Sequence, residues 1–187
     1  MTGRAAVFLD RDGTVTEPRH YPARPADLVL APGVGPALRR LQRQGRLLVL
    51  VTNQSGLARG LFSLRTLDAM HRHLRTLLTA HDVHLDGIYV CPHHPDGTVE
   101  GLSFRCACRK PNAGLLVDSA GELDIDLASS WMVGDFASDV EAGRRAGCRT
   151  AWIGPAATAQ TEPPGPEPTL RTATAAEALH HIARLRS

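Results

Sequence analysis

Two carboxylates, Asp10 and Asp12, stand two positions apart, directly after an apolar run and immediately before Gly13. Carboxylates in this arrangement can hold a divalent cation, and one can act as a nucleophile while the other moves a proton. Taken alone, the pattern is equally well explained by a tight turn in which the Asp side chains bond to the backbone. A catalytic interpretation therefore depends on what the rest of the chain brings to these residues.

Further polar residues follow later apolar runs. Thr52 and Asn53 come directly after the second run, and Asp135 comes shortly after a later one. Lys110, the sole lysine of the chain, precedes a predicted helix. Because the carboxyl ends of parallel strands meet at one edge of a sheet, these side chains are expected beside Asp10 and Asp12.

This set of residue types has the properties that phosphoryl transfer requires. Asp10 could attack phosphorus, and Asp12 could protonate the leaving oxygen and later activate water. Asp10, Asp135 and the Asp12 carbonyl could hold Mg²⁺. Thr52 and Lys110 could stabilise the phosphoryl oxygens with a hydroxyl and a point charge.

The elements that must position these residues alternate along the chain. Short apolar runs predict buried strands, and residues repeating at three- and four-residue spacing predict amphipathic helices. The predicted strands are 5–9, 47–51, 87–90, 131–133 and 150–153. Four of the predicted helices are 32–45, 111–120, 138–146 and 174–186. A further helix is capped by Ser63 and carries Leu67, Met70, Leu74 and Leu77 on one face.

This alternation predicts an α/β fold, a doubly wound parallel sheet with helices on both faces. We expect one domain over 1–187, with no separate cap domain in the gaps between the polar stretches. Residues 16–30 form a predicted loop over the crevice, 91–109 a metal-stapled loop, and 154–168 a proline-rich connector before the closing helix.

Three cysteines and a histidine lie in the long loop. A Cys₃His set in two close pairs predicts a closed, structural zinc site, formed by Cys91, His93, Cys106 and Cys108. His94 and Cys148 are the alternative ligands, and His94 is the better substitute. Cys148 is otherwise expected to be an ordinary buried thiol.

Composition narrows the function classes. With 21 basic and 19 acidic residues the formal net charge is +2, without the basic face or acidic tail that would indicate nucleic-acid or membrane binding. We expect a small phosphorylated metabolite as the partner. The chain begins too close to its first strand for a signal peptide, so we expect a cytoplasmic protein, a monomer with oligomers left open.

Four stretches, 8–14, 51–56, 109–111 and 134–139, resemble in order and spacing the four motifs of the haloacid dehalogenase (HAD) superfamily of phosphatases. With the two Cys pairs between the second and third stretches, the chain is similar to the group that contains histidinol-phosphate and heptose-bisphosphate phosphatases.

The resemblance implies Asp10 as nucleophile, Asp12 as acid and base, and Thr52 and Lys110 as phosphoryl-stabilising groups. It implies that Mg²⁺ is bound by Asp10, Asp12 and Asp135, and that Asp139 orients the site. The substrate contacts that it implies are Arg19, His20, Tyr21, Asn53, Gln54, Ser55 and Arg109.

The activity that the resemblance implies is a Mg²⁺-dependent phosphomonoesterase working through an aspartyl-phosphate. A heptose bisphosphate is the first expected substrate, histidinol phosphate is the alternative, and a non-catalytic zinc-stapled binding module is a third interpretation. The chain departs from the heptose-bisphosphate pattern at Phe136, where a lysine usually follows the metal-binding Asp.

Overall fold

The computed structural model describes residues 3–154, 165 and 167–185. Its six-stranded sheet is parallel throughout, with the strand order β3-β2-β1-β4-β5-β6. The α/β prediction is confirmed. The strands are β1 (Ala6–Leu9), β2 (Leu47–Asn53), β3 (Gly87–Cys91), β4 (Trp131–Gly134), β5 (Arg149–Ile153) and β6 (Leu170–Thr172). The helices are α1 (Val34–Arg43), α2 (Leu64–Thr79), α3 (Gly114–Leu123), α4 (Ala137–Arg145) and α5 (Ala175–Ile182).

Strand β1 lies at the centre because it is apolar on both faces. Its four residues are completely buried, and successive side chains point to opposite sides of the sheet. Val7 and Leu9 belong to the core under α1, α2 and α5, whereas Ala6 and Phe8 belong to the core under α3 and α4. The predicted helical layers on both faces are thus confirmed. None of the helices in the described part of the chain is long and apolar enough to cross a membrane.

The strand order reverses at β1, which pairs with β2 on one side and β4 on the other. In open α/β sheets such a switch point opens a crevice at the carboxyl ends of the strands. Leu9 is in register with Leu50 and Val133, so the residues after these three strands emerge side by side.

The connections over this crevice contain no additional helical or sheet layer. Residues 10–33 form a loop with one short 3-10 helix (Pro25–Asp27), and residues 92–113 form a loop without helix or strand. The expected absence of a cap domain between the motifs agrees with this arrangement.

Several element boundaries differ from the predictions. The third helix begins at Gly114, not at Pro111, because Asn112 donates a hydrogen bond to the Cys106 carbonyl and the Gly114 N–H donates to Ala107. The closing helix ends at Ile182 rather than 186. Most of the predicted connector 154–168 lies outside the described residues, and strand β6 was not predicted.

The long second helix begins as predicted. The Ser63 hydroxyl accepts a hydrogen bond from the Thr66 N–H, which satisfies one of the free amides of the first turn. Leu67, Met70 and Leu74 are buried as expected, but Leu78 takes the buried position assigned to Leu77, which is only half-buried. The difference is one residue at the last turn.

Candidate active site

Lys110 joins the residue after β1, strand β2 and the first turn of α4 at the switch point. Its Nζ lies 2.7 Å from Oδ1 of Asp10 and 2.6 Å from Oδ1 of Asp139, and it donates to the Val51 carbonyl at 2.9 Å. The side chain is buried, with 3% of the residue exposed. Burial alone would lower the pKa of Lys110, but the charges of Asp10 and Asp139 outweigh it and the pKa is raised. The amine is therefore a permanent cation at the floor of the crevice.

Three carboxylates gather around this cation. A carboxylate oxygen of Asp10, one of Asp135 and one of Asp139 lie within 4.8 Å of one another. Burial, reinforced by the charges of Asp10 and Asp139, raises the pKa of Asp135 to about 7. Burial also raises the pKa of Asp139 to about 6, although Lys110 opposes this shift. A further positive charge near these acids would stabilise their ionised forms.

The acids are suited to a hard divalent cation. Oδ1 of Asp135 is buried and has no hydrogen-bond partner among the residues that the structure describes, which leaves it available to a metal. A Cβ at Gly13, whose φ is +80°, would collide with the Asp135 carboxylate, so only glycine leaves room there. Asp10 and Asp135 thus fit Mg²⁺, which needs only one or two carboxylates besides water and phosphate oxygens.

Asp139 is occupied by the protein itself. One of its oxygens pairs with Lys110, and the other accepts a hydrogen bond from the Phe136 N–H at 3.0 Å. Both contacts fit the orienting role that the resemblance implies for this residue.

The Asp12 carboxylate points away from the other acids, into a second network. Arg11 clamps it through Nε and Nη2, at 2.7 Å for the shortest contact, and Gln54 donates to it at 3.2 Å. Gln54 also donates to the Thr52 hydroxyl at 2.9 Å. Asp12 could therefore serve a metal at Asp10 and Asp135 only through its backbone carbonyl, the ligand considered from the sequence. Arg11 was missed, because nothing in its sequence position shows which way the side chain turns.

Asn53, expected to touch substrate, binds the backbone of Lys110. Its Nδ2 donates to the Lys110 carbonyl at 3.0 Å, and its Oδ1 accepts from the Lys110 N–H at 3.1 Å. This reciprocal pair spans 57 positions and ties the end of β2 to the loop that carries the lysine. The amide of Asn53 thus fixes the position of Lys110.

A cavity of about 350 Å³ opens above these groups. Every residue predicted to be catalytic or substrate-binding lines it. They are Asp10, Asp12, Arg19, His20, Tyr21, Thr52, Asn53, Gln54, Ser55, Arg109 and Lys110. Phe136, 64% exposed, and Ser138 also line it and were not assigned to the site from sequence.

One wall of the cavity comes from the loop after β1. Tyr21 has a positive φ of 46°, and its ring meets that of His20 edge to face at 4.5 Å. Arg19 contacts Asp27 at 3.3 Å but is mostly exposed, so its guanidinium can be shared with a ligand. Arg109, which also lines the cavity, donates to the His93 carbonyl at 3.2 Å.

The predicted zinc ligands come together in the long loop. Cys91, His93, Cys106 and Cys108 each offer an atom within 4.8 Å of the others. The Sγ atoms of Cys91 and Cys106 are 3.5 Å apart, and Cys108 lies 3.4 Å from Nδ1 of His93. These separations and this donor set fit a closed tetrahedral zinc site.

The alternative ligands lie elsewhere. His94 accepts a hydrogen bond from the Asp96 N–H and contacts Arg59. Cys148 is buried in the core under α3 and α4, as expected of a structural thiol. Neither belongs to the metal-ligand cluster.

Comparison with known proteins agrees with this geometry. A family model described as HAD-hydrolase-like matches residues 107–178. A D-glycero-beta-D-manno-heptose-1,7-bisphosphate 7-phosphatase of Yersinia pestis is 46% identical over 145 residues, which cover 78% of this chain and 77% of that protein. The protein of the same name from Haemophilus ducreyi is 45% identical over 164 residues, covering 86% and 90%.

A solved structure is similar over almost the whole chain. The crystal structure of D,D-heptose 1.7-bisphosphate phosphatase from B. bronchiseptica, complexed with magnesium and phosphate, matches with a TM-score of 0.82 at 35% identity, covering 96% of this chain and 97% of that one. The chain therefore belongs to the haloacid dehalogenase superfamily, as its motifs predict. It is a phosphoric monoester hydrolase, and the relatives named here are heptose-bisphosphate phosphatases.

Proposed function

We propose that this enzyme removes the 7-phosphate of D-glycero-β-D-manno-heptose 1,7-bisphosphate. The observation that carries the proposal is the contact between Asp10 and the buried Lys110 at the floor of the cavity. This contact pairs a carboxylate nucleophile with a cation for the phosphoryl oxygens. The substrate class comes from the names of the relatives, which cover most of the chain.

In the first step the Asp10 carboxylate attacks phosphorus, and the bond between phosphorus and the sugar oxygen breaks. Lys110 and the Thr52 hydroxyl bind the phosphoryl oxygens, and Asp12 gives a proton to the departing sugar oxygen. The product on the enzyme is an aspartyl-phosphate at Asp10. Mg²⁺, held by Asp10, Asp135 and the Asp12 carbonyl, would neutralise charge on the transferring group.

In the second step a water molecule attacks the phosphorus of the aspartyl-phosphate. Asp12, now ionised, accepts a proton from this water, and the bond between phosphorus and Asp10 breaks. Inorganic phosphate leaves, and Asp12 is again protonated for the next cycle. One side chain therefore serves as acid and then as base.

The substrate-binding roles follow from the lining of the cavity. Arg19 and Arg109 supply cations at the lining of the cavity, suited to a second phosphate, while His20, Tyr21 and Ser55 supply polar groups for hydroxyls. Asn53 and Gln54 line the same space, but their amide groups bind protein partners. We therefore assign these two to positioning Lys110 and Thr52.

The zinc site is proposed to be structural. Arg109 and Lys110 directly follow Cys108, so a metal that pins the loop also fixes these two cations. Thiolate ligands of this kind persist in a reducing compartment, which is our reason for placing the enzyme in the cytoplasm.

A second candidate substrate is histidinol phosphate, because the exposed ring of Phe136 stands at the cavity where a cation would favour a second phosphate. The deciding experiment measures kcat/KM for heptose 1,7-bisphosphate, histidinol phosphate and glucose 6-phosphate with Mg²⁺. We expect the heptose bisphosphate to be preferred by about 100-fold or more, with phosphorus NMR locating the lost phosphate at C7. A preference for histidinol phosphate would contradict the proposed substrate but leave the proposed two-step mechanism unaffected.

The same assay separates an enzyme from a binding module. An active phosphatase releases phosphate from an aryl phosphate with Mg²⁺ and loses this activity with EDTA. A zinc-stapled binding module would release none under either condition.

A further inference from the structure

Arg11 lies between the two aspartates in sequence and is completely buried. Its guanidinium has one carboxylate partner within the described residues, Asp12. Nε is 3.0 Å from Oδ1 and 3.1 Å from Oδ2, and Nη2 is 2.7 Å from Oδ2. Nη2 also donates to Oε1 of Gln54 at 3.0 Å.

The two carboxylate oxygens of Asp12 accept different numbers of hydrogen bonds from Arg11 and Gln54. Among the described residues, Oδ2 accepts from Nε and Nη2 of Arg11 and from Nε2 of Gln54, whereas Oδ1 accepts only from Nε of Arg11. Three donors exceed what the lone pairs of one carboxylate oxygen accommodate well. Oδ1 is left with a free lone pair, and 25% of the Asp12 side chain is exposed at the cavity.

We propose that Arg11 is a positioning residue that, together with Gln54, saturates Oδ2 of Asp12 and leaves Oδ1, which accepts a single hydrogen bond from the described residues, as the oxygen that carries the proton. The inference rests on the proposed function, in which Asp12 is the acid and base. Oδ1 gives its proton to the ester oxygen as the phosphorus–oxygen bond breaks, and it later takes a proton from the attacking water. Arg11 touches neither substrate nor phosphoryl group and acts through Asp12.

The surroundings of Arg11 argue against a purely structural role. Its Nη1 is buried without a hydrogen-bond partner in the described part of the chain, which is costly for a charged group. The nearby His71 is neutral, since burial and then the charge of Arg11 lower its pKa to about 4. An apolar side chain of similar length would fill this space without such costs. What an apolar side chain could not supply is a two-point grip on Asp12.

The test uses the dependence of kcat/KM on the leaving group, measured with Mg²⁺ on phenyl phosphate and 2,4-dinitrophenyl phosphate. The poor phenoxide leaving group needs a proton from Asp12, whereas dinitrophenoxide departs without one. We expect Arg11→Met to lower kcat/KM about 30-fold on phenyl phosphate and less than about 3-fold on the dinitrophenyl ester. The matched control, Arg39→Met, removes a surface ion pair with Asp82 and should change neither value.

A double variant provides the second readout. If Arg11 acts through Asp12, the pair Arg11→Met with Asp12→Asn should be no slower than Asp12→Asn alone. Arg11→Lys, which keeps the charge but not the two-point grip, should show a smaller loss with the same leaving-group dependence. If circular dichroism shows that Arg11→Met does not fold, Arg11→Lys takes its place in the test.

Equal losses on both esters, or losses that multiply in the double variant, would overturn the proposal and leave Asp12 as the acid. If Asp12→Asn itself showed no leaving-group dependence, the acid role of Asp12 would fall, and the role of Arg11 with it. The single variants therefore separate a failure of the inference from a failure of the proposed function.

Discussion

The Lys110 ammonium and the Asp10 carboxylate are 2.7 Å apart, although the two residues are separated by 100 positions. A further ion pair with Asp139 and a hydrogen bond to the Val51 carbonyl hold the ammonium in place. The cation is thus positioned before substrate arrives, so little reorganisation is needed when charge develops on the phosphoryl group.

Replacing this lysine should affect both activity and stability. Lys110→Met removes the cation that we propose binds the phosphoryl oxygens, and it leaves Asp10 and Asp139 without their counter-charge. We expect kcat/KM to fall by about 100-fold or more and the free energy of unfolding at pH 8 to fall by about 3 kcal/mol. Urea unfolding and phosphate release measure the two effects, with the exposed Arg40→Met as control. An unchanged rate would exclude Lys110 from the site.

Replacing Asp10, the proposed nucleophile, should remove turnover without unfolding the chain. Asp10→Asn has nearly the same shape and still offers an oxygen to Lys110, but an amide is a poor nucleophile. We expect phosphate release to fall by at least about 1,000-fold, with an unchanged circular dichroism spectrum. Asp118→Asn, on the exposed face of α3, makes the same chemical change and should be fully active. Residual turnover near the wild-type rate would contradict the role of Asp10.

The raised carboxyl pKa values predict an unusual pH dependence of stability in EDTA. In the folded state the pKa of Asp135 is about 7 and that of Asp139 about 6, against an ordinary value of 3.8. Both carboxylates therefore bind protons more tightly in the folded than in the unfolded chain. Stability should therefore decrease as the pH rises from about 4 to about 7. We expect the metal-free protein to be less stable at pH 8 than at pH 5 by about 1 to 3 kcal/mol, measured by urea unfolding.

Two comparisons isolate the carboxylates responsible. Asp135→Asn should remove most of this pH dependence, because the amide does not titrate. Mg²⁺ added at pH 8 should restore much of the lost stability in the wild type by neutralising the cluster. A wild type and variant with the same pH dependence in EDTA would show that Asp135 does not titrate as described.

Loss of zinc should lower activity through the long loop. The purified protein should contain about one equivalent of zinc, and Cys106→Ser should lose it together with thermal stability. Cys148→Ser, which changes a thiol outside the cluster, should retain the metal. We expect the zinc-free protein to have a lower kcat/KM because Arg109 and Lys110 are displaced. Full turnover by a metal-stripped, folded protein would refute this link.

Several features of the fold could be predicted because they depend on local sequence. The continuous apolar run at β1 and the polar residues that follow it indicate a central strand ending at the crevice. Strand β6 escaped prediction, since Leu170–Thr172 is three residues long, half-buried and without periodicity. It is a strand because it pairs with β5.

The roles of Asn53, Gln54 and Arg11 could not be resolved in the same way. Their residue types suit hydrogen bonding to a substrate, and sequence offers no means of choosing between a ligand and a distant part of the chain. The structure brings Asn53 to the backbone of Lys110, and Gln54 and Arg11 to Asp12.

The sequence by itself determined the types and order of the polar groups proposed to react, the superfamily, and the three Cys and one His residues that cluster as candidate metal ligands. These follow from short-range patterns, since a strand, a turn or a pair of ligands is defined within a few residues. Only the tertiary structure decided which two carboxylates meet Lys110, that Gln54 joins Arg11 in binding the Asp12 carboxylate, and that Asn53 binds the lysine loop. The contacts from Gln54 to Asp12, from Asn53 to Lys110 and from Lys110 to Asp10 join positions 42, 57 and 100 residues apart, and they exist only because the sheet packs its strand ends together at one edge.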